Sequence, residues 1–304
     1  MKKILITGAS GTIGRRLIEK LALRKDEIFV FTQNAQQAQS KLSGVKEIIK
    51  WDYQKPDEWK GYLNNIDVVI HLAGANLAGK RWNPKYKQIA YESRVFSTRN
   101  LVKAIQSAHQ KPKVFICASA VGIYGDRFDE ILGEKSFLGN DFLANLCKDW
   151  EQESEILEKL NVRRVSIRTS PVLIKGEGLL QQLYLPFKLF VGGPLAGGRQ
   201  WFPWIHIDDL VGIYLRTIDD DSVQGPINAA SPGIVRMKEF AGDFGKVLRR
   251  PSIFPIPKFA MKIVAGEVAD YAVMSQRTSV EKIINAGYTF KFENLEEALR
   301  NLLN

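Results

Sequence analysis

At 304 residues, with 45% hydrophobic and 25% charged residues, the chain has an ordinary globular composition and room for one large α/β domain or a nucleotide-binding domain with a smaller companion. No apolar run reaches the roughly 18 residues of a membrane span, and Gly8 arrives too early for a signal peptide, so no membrane partner is expected. The net charge of +10 is spread in pairs such as Arg15-Arg16 and Arg249-Arg250, and the two cysteines, Cys117 and Cys147, make no disulfide framework; the chain reads as a cytoplasmic protein with a solvated basic surface, not a nucleic-acid binder.

The first apolar run, Lys3 to Thr7, reads as a strand, and Ile13, Leu17 and Leu21 then recur at helical spacing. Strand and helix go on alternating: strand Ile28 to Thr32, helix Ala35 to Leu42, strand Val45 to Trp51, and a fully buried strand from Asp67 to Leu72. A long helix from Pro84 to Ala108, a strand from Val114 to Ala118, a helix from about Asp141 to Leu160 and a strand from Val162 to Arg168 follow. This order predicts an α/β fold, a doubly wound parallel Rossmann sheet over residues 1–170, with a smaller C-terminal substrate region over 171–304. Beyond residue 170, glycine pairs and the prolines at 251, 255 and 257 predict shorter elements and a cleft between the two parts.

Gly8-Ala9-Ser10-Gly11-Thr12-Ile13-Gly14 falls between the first strand and the first helix, where backbone amides of a helix N-terminus meet a dinucleotide pyrophosphate. Gly8 suits the tight turn, Gly11 a close approach of phosphate, and Gly14 close packing of helix on sheet. The alternative is an ordinary strand-to-helix turn. An acid at the end of the second strand would bind a ribose 2′-hydroxyl and repel a 2′-phosphate, and Thr32, Gln33 and Asn34 stand there instead. The expected cofactor is therefore NADP, with NAD the alternative; Arg15, Arg16 or Lys41 are candidate phosphate partners. Asp52 is placed either to contact the adenine or to close a surface turn.

With these motifs the chain resembles the extended short-chain dehydrogenase/reductases, the NAD(P)-dependent epimerase/dehydratase type. His71-Leu72-Ala73-Gly74 is similar to the strand-four motif that lies along the cofactor, and Ser119-Ala120-Val121-Gly122-Ile123-Tyr124-Gly125 to the serine and tyrosine-glycine motif. Ser93-Arg94-Val95, Asp141 to Ala144 with Trp150-Glu151, and Trp204 to Asp209 look like an atypical subgroup of mostly unknown activity. The resemblance implies oxidation, reduction or epimerisation of a small polar substrate, sugar nucleotides included, with homo-oligomers compatible.

The resemblance also has a gap. A tyrosine and a lysine four residues on normally move the proton, and the corresponding helix offers Leu143 and Cys147. Leucine has no proton to give, and a thiol carries no fixed positive charge. The candidates left for the chemistry are Tyr124 as proton donor, Ser119 to orient a carbonyl, Arg94 to clamp a phosphate or carboxylate, and Cys147 as a reactive thiol. Each has a plainer reading: a packed aromatic, a turn serine, an ion-paired arginine and a small buried hydrophobe. Glu134 and Asp141 are further carboxylates, Asp141 equally a helix cap. His71, His109 and His206 show no metal-ligand spacing, so no metal is expected. The rival to an enzyme is a non-catalytic NADP-binding sensor, which the missing tyrosine and lysine favour.

Overall fold

A computed structural model describes residues 1–77 and 79–303. Seven strands make the central sheet: β1 (Lys3–Thr7), β2 (Glu27–Thr32), β3 (Glu47–Lys50), β4 (Val68–His71), β5 (Val114–Ala120), β6 (Arg163–Thr169) and β7 (Gly225–Ala229). Their order is β7-β6-β5-β4-β1-β2-β3, with every neighbouring pair parallel. The helices are α1 (Thr12–Leu23), α2 (Ala35–Lys41), α3 (Pro84–Glu92), α4 (Val95–Ser107), α5 (Phe142–Gln152), α6 (Gly178–Lys188), α7 (Ile207–Asp219), α8 (Met237–Leu248), α9 (Lys258–Ala265), α10 (Val268–Ala272), α11 (Glu281–Asn285) and α12 (Leu295–Leu303).

Strand side chains alternate between two faces, so a strand covered on both must be apolar throughout. Ile4 and Ile6 of β1 and Val68 and Ile70 of β4 pack on the face covered by α1, α6, α7, α8 and α12. Leu5 and Val69, one residue out of phase, pack on the other face with Leu101 and Ile105 of α4 and Leu146 and Trp150 of α5. Strand order reverses between β1 and β4, and the crevice at that switch is where a doubly wound sheet takes its ligand.

Two expected helices are broken. The Pro84 to Ala108 helix stops at Glu92 and restarts at Val95, with Arg94 between at φ −108, ψ −63. Side-chain hydroxyls compete with the backbone there: Ser93 Oγ donates to Ala90 O at 3.1 Å and accepts from Ala75 N at 3.0 Å, and Ser97 Oγ donates to Ser93 O at 2.8 Å. The Asp141 to Leu160 helix is α only to Gln152, and Glu155–Leu160 winds on as a tighter 3₁₀ turn that ends at left-handed Asn161. Strand β5 runs two residues past its expected end, to Ala120. Residues beyond 170 return to the sheet to supply β7 and the covering helix α7.

Gly8 sits at φ +68, and a Cβ on it would come within 2.7 Å of the Leu72 and Ala73 backbone. The β1 turn thus lies directly on the end of β4. Beneath it, the Thr7 hydroxyl accepts from Ala73 N at 3.2 Å and so donates to His71 Nδ1 at 2.7 Å. Ser97 Oγ has given its proton to Ser93 O, so His71 Nε2–H donates to it at 3.2 Å. This neutral imidazole ties β1, β4 and α4 together.

Burial lowers the His71 pKa to about 3. The unfolded chain takes up that proton near pH 6.5 and the folded one does not, so stability is full above 6.5 and falls as pH drops toward 3, by up to about 1.4 kcal/mol per pH unit. Burial lowers the His206 pKa too, adding in the same direction. Urea midpoints between pH 6.5 and 4.5 should therefore decline with acid, and His71→Asn should make the decline shallower. An unchanged slope in the variant would assign the acid loss to other groups.

Candidate functional site

The crevice at the switch point is a cavity of about 510 Å³. Gly8, Ser10, Thr32, Gln33, Ala73 and Gly74 line it, together with Asn34, Phe31, Trp51, Tyr53, Ser93 and Ser97. Gly11, Thr12, Ile13, Gly14, Leu72 and Asp52, also expected at the cofactor, are not lining residues. Gly11 N donates to Gly8 O at 3.0 Å to close the turn, and Gly11 is the N-cap of α1 with no side chain over the first-turn amides. A Cβ on Gly14 would fall 2.6 Å from the Ala9 backbone, which keeps α1 pressed on the turn. Asp52 Oδ1 accepts from Gln54 N at 3.0 Å and its carbonyl from Trp59 Nε1 at 2.7 Å, the geometry of a turn residue between two aromatics that face the cavity. Of those aromatics, Trp51 was read only as the end of a strand and Tyr53 was not singled out; nothing in the sequence marks the face they turn to the cleft.

Of the cations proposed for a 2′-phosphate, Arg16 pairs with Asp208 at 3.0 Å and Glu19 at 2.7 Å, Arg15 pairs with Glu177 and donates to Ser10 O at 2.9 Å, and Lys41 is exposed. What remains at that end of the cavity is uncharged: Thr32, Gln33, Asn34 and Gln37. Glu177 also accepts from the Thr12 hydroxyl, so a carboxylate rests at the opening of α1.

Three of the four residues singled out for the chemistry belong to the interior. Tyr124 is fully buried; its hydroxyl donates to Asn228 Oδ1 at 2.6 Å and accepts from Arg168 Nη1 at 3.0 Å. Ser119 Oγ donates to Glu151 Oε1 at 2.6 Å. Arg168 grips Glu151 with two parallel bonds, Nε to Oε1 at 3.0 Å and Nη2 to Oε2 at 2.8 Å. Ser119, Glu151, Arg168, Tyr124 and Asn228 thus form one buried network, of which the sequence reading caught only the serine and the tyrosine. Burial raises the pKa of Tyr124 against the pull of Arg168. Cys147 is buried, and burial pushes its thiol up to about 12, which holds it protonated and unreactive at neutral pH. Arg94, the fourth, is not itself a lining residue but packs against one: a Cβ on Gly74, which lines the cavity, would fall 2.9 Å from its Cζ. Asp141 caps α5, accepting from Leu143 N at 2.9 Å and Ala144 N at 3.1 Å. Glu134 accepts from Asn228 N at 2.9 Å.

The Trp204 to Asp209 segment is a buttress. His206 stacks on Phe292 at 3.9 Å, and buried Asp209 accepts from Lys291 N at 2.8 Å, Phe292 N at 3.0 Å and Tyr288 Oη at 3.0 Å, fastening the C-terminal segment to α7.

An epimerase family protein of Staphylococcus haemolyticus is 37% identical over 306 residues, covering 100% of both chains. This chain belongs to the NAD-dependent epimerase/dehydratase family. The family's sequence model, described as the NAD dependent epimerase/dehydratase family, matches residues 4–142, and a second, described as a domain of unknown function, matches 256–302. A chloroplastic epimerase family protein of Arabidopsis thaliana, a homolog of SDR39U1, is 35% identical over 99% of this chain and 86% of its own. The crystal structure of human epimerase family protein SDR39U1 with NADPH superposes with a TM-score of 0.88 at 30% identity, over 99% of this chain and 98% of that one. A UDP-glucuronic acid 4-epimerase of Bacillus cereus shares the fold, with a TM-score of 0.80 at 17% identity over 99% and 97%.

Two outcomes check this description. In this epimerase family protein neither cysteine should react with a thiol reagent at pH 8 before unfolding, since both are buried; rapid labelling of Cys147 in the native state would refute its placement. Glu151→Gln leaves Arg168 charged and unpaired in the interior and should cost about 3–5 kcal/mol by urea denaturation, whereas Glu151→Leu with Arg168→Met should cost far less.

Proposed function

We propose that this protein binds NADP(H) across the crevice between β1 and β4 and uses it on a small polar substrate seated against the C-terminal part, the oxidised form in oxidation or epimerisation and the reduced form in reduction. The observation that carries the reading is the uncharged end of β2: Thr32, Gln33, Asn34 and Gln37 line the cavity and its lining acid, Glu92, is on α3, so the end of β2 sets no acid against a 2′-phosphate. The NADPH in the human relative's crystal supports the same choice. The adenosine end would rest among Trp51, Tyr53 and Gln33, and the pyrophosphate over the Ser10 to Ile13 turn. Bound so, the nicotinamide would give or take a hydride.

The chain's own part is to place and enclose. Ser119 and Tyr124 have their hydroxyls committed to Glu151, Asn228 and Arg168, so they hold the end of β5 rigid and leave the substrate's proton to another donor, water or substrate. That commitment, with Leu143 and Cys147 on α5, favours a second reading: a non-catalytic NADPH-binding protein whose surface responds to the cofactor.

Titration with NADPH and NADH should show preference for NADPH, and Gln33→Asp should weaken NADPH by about tenfold or more through like-charge repulsion while sparing NADH. Equal affinities for the two coenzymes, or a variant without effect, would remove the support for a 2′-phosphate at β2. Stereospecifically deuterated NADPH offered with a panel of carbonyl compounds then separates the readings: deuterium in a product supports the enzyme, and tight binding without transfer supports the sensor.

A further inference from the structure

Arg94 is the one candidate whose charge the fold leaves open. It occupies the break between α3 and α4, where Thr98 Oγ1 holds its carbonyl at 2.6 Å. The guanidinium is mostly buried, yet among the described residues no carboxylate lies within ion-pair distance of it. Nη1 donates to Ala90 O at 3.2 Å, and the plane lies 5.3 Å from the Trp150 ring. Of its five donors a single one has a protein acceptor, and a cation–π contact replaces only part of the lost hydration. Arg168, more deeply buried, donates two bonds to Glu151.

The contrast is informative because an uncompensated buried charge is costly. Burial lowers the Arg94 pKa, and a guanidinium nonetheless stays protonated. Its location adds direction. A Cβ on Gly74 would come 2.9 Å from Arg94 Cζ, so the guanidinium packs against the bare face of a residue that lines the cavity, although Arg94 itself is not a lining residue. Its Cζ also lies 5.3 Å from the ring of Trp150 on α5, the helix where the resemblance calls for lysine and Cys147 stands.

We propose that Arg94 is the oxyanion-binding residue of the cleft: from the α3–α4 break it sets a positive charge beside α5, the helix that lacks the lysine, and it binds a phosphate or carboxylate oxygen of the ligand. This rests on the cofactor reading above for the identity of the cleft. The charge serves recognition and not proton transfer, because Leu143 has no proton and Tyr124 is tied to Asn228. Two ligands carry the same chemistry, the pyrophosphate of the cofactor and an acidic group on the substrate.

The experiment compares wild type, Arg94→Lys and Arg94→Met by calorimetric titration with NADPH, then with inorganic phosphate and with acetate, each on the free and the NADPH-saturated protein. If the cofactor supplies the oxyanion, Arg94→Met weakens NADPH by about tenfold or more and Arg94→Lys recovers part of it. If the substrate supplies it, NADPH affinity is unchanged within about twofold, and phosphate or acetate binds the saturated wild type at millimolar concentration and not Arg94→Met. In either case Arg94→Met melts no lower than wild type, since it removes a charge without a counterion. The proposal falls if Arg94→Met melts several degrees lower, which marks a structural cation, or if it leaves NADPH affinity intact and no anion binds. Wild type that fails to bind NADPH overturns the cofactor reading instead, and anion binding to the free protein then still decides Arg94.

Discussion

The contact between the β1 turn and the end of β4 sets the geometry of everything around the crevice. Gly8 lies against the Leu72 and Ala73 backbone with no room for a side chain, so the chain emerging from β4 cannot shift without moving the turn that opens α1. Thr7, on β1, then reaches both Ala73 N and His71. Through His71 the constraint passes to Ser97, through Ser97 to Ser93, and from Ser93 back to Ala75. The break at Arg94 belongs to this relay: the serines that bend the helix are the ones that hold the β4 loop. A neutral imidazole suits the position because it accepts at one nitrogen and donates at the other, which a charged histidine, a donor at both, would not do.

Charge is distributed by the same economy. The deep carboxylate Glu151 and the deep cation Arg168 satisfy each other and two hydroxyls besides. Such a closed network is rigid, and removing one member exposes the rest to an unpaired charge. Asn228, from β7, completes it by donating to Leu132 O at 3.0 Å and Ser279 O at 2.9 Å while accepting from Tyr124. The residues that look catalytic in the sequence are thus the joints between the Rossmann sheet and the C-terminal part.

The alternation of strand and helix was legible because a parallel sheet covered on both faces needs unbroken apolar strands, and β1, β4 and β5 have them. β7 was not, since Gly225-Pro226-Ile227-Asn228-Ala229 carries a proline and a buried amide; as an edge strand it tolerates the proline, and the amide is satisfied by partners from distant segments. The α3–α4 break escaped notice because the apolar spacing runs through it and only the serine hydroxyls, bonded to backbone, contradict a continuous helix. At the site, the glycine turn and the missing acid of β2 were readable as local chemistry. The commitment of Tyr124 was not, because its partners Arg168 and Asn228 are 44 and 104 residues away.

That difference bears on how an altered catalytic motif should be weighed. Losing tyrosine and lysine from α5 removes a proton donor and a positive charge, and the two losses need not share a fate. The donor has no replacement on α5, where Leu143 packs beside Gly122. The charge has a candidate replacement, because a residue on a neighbouring helix need only reach the same region, and the Arg94 guanidinium lies 5.3 Å from the Trp150 ring of α5. A long side chain rooted in a helix break can deliver a cation where α5 holds only a thiol, whereas a proton donor must also match the direction of the bond it serves. A cleft that keeps its cation and gives up its acid is suited to holding an anion, and whatever chemistry accompanies that binding has to find its proton outside the β5–α5 pair.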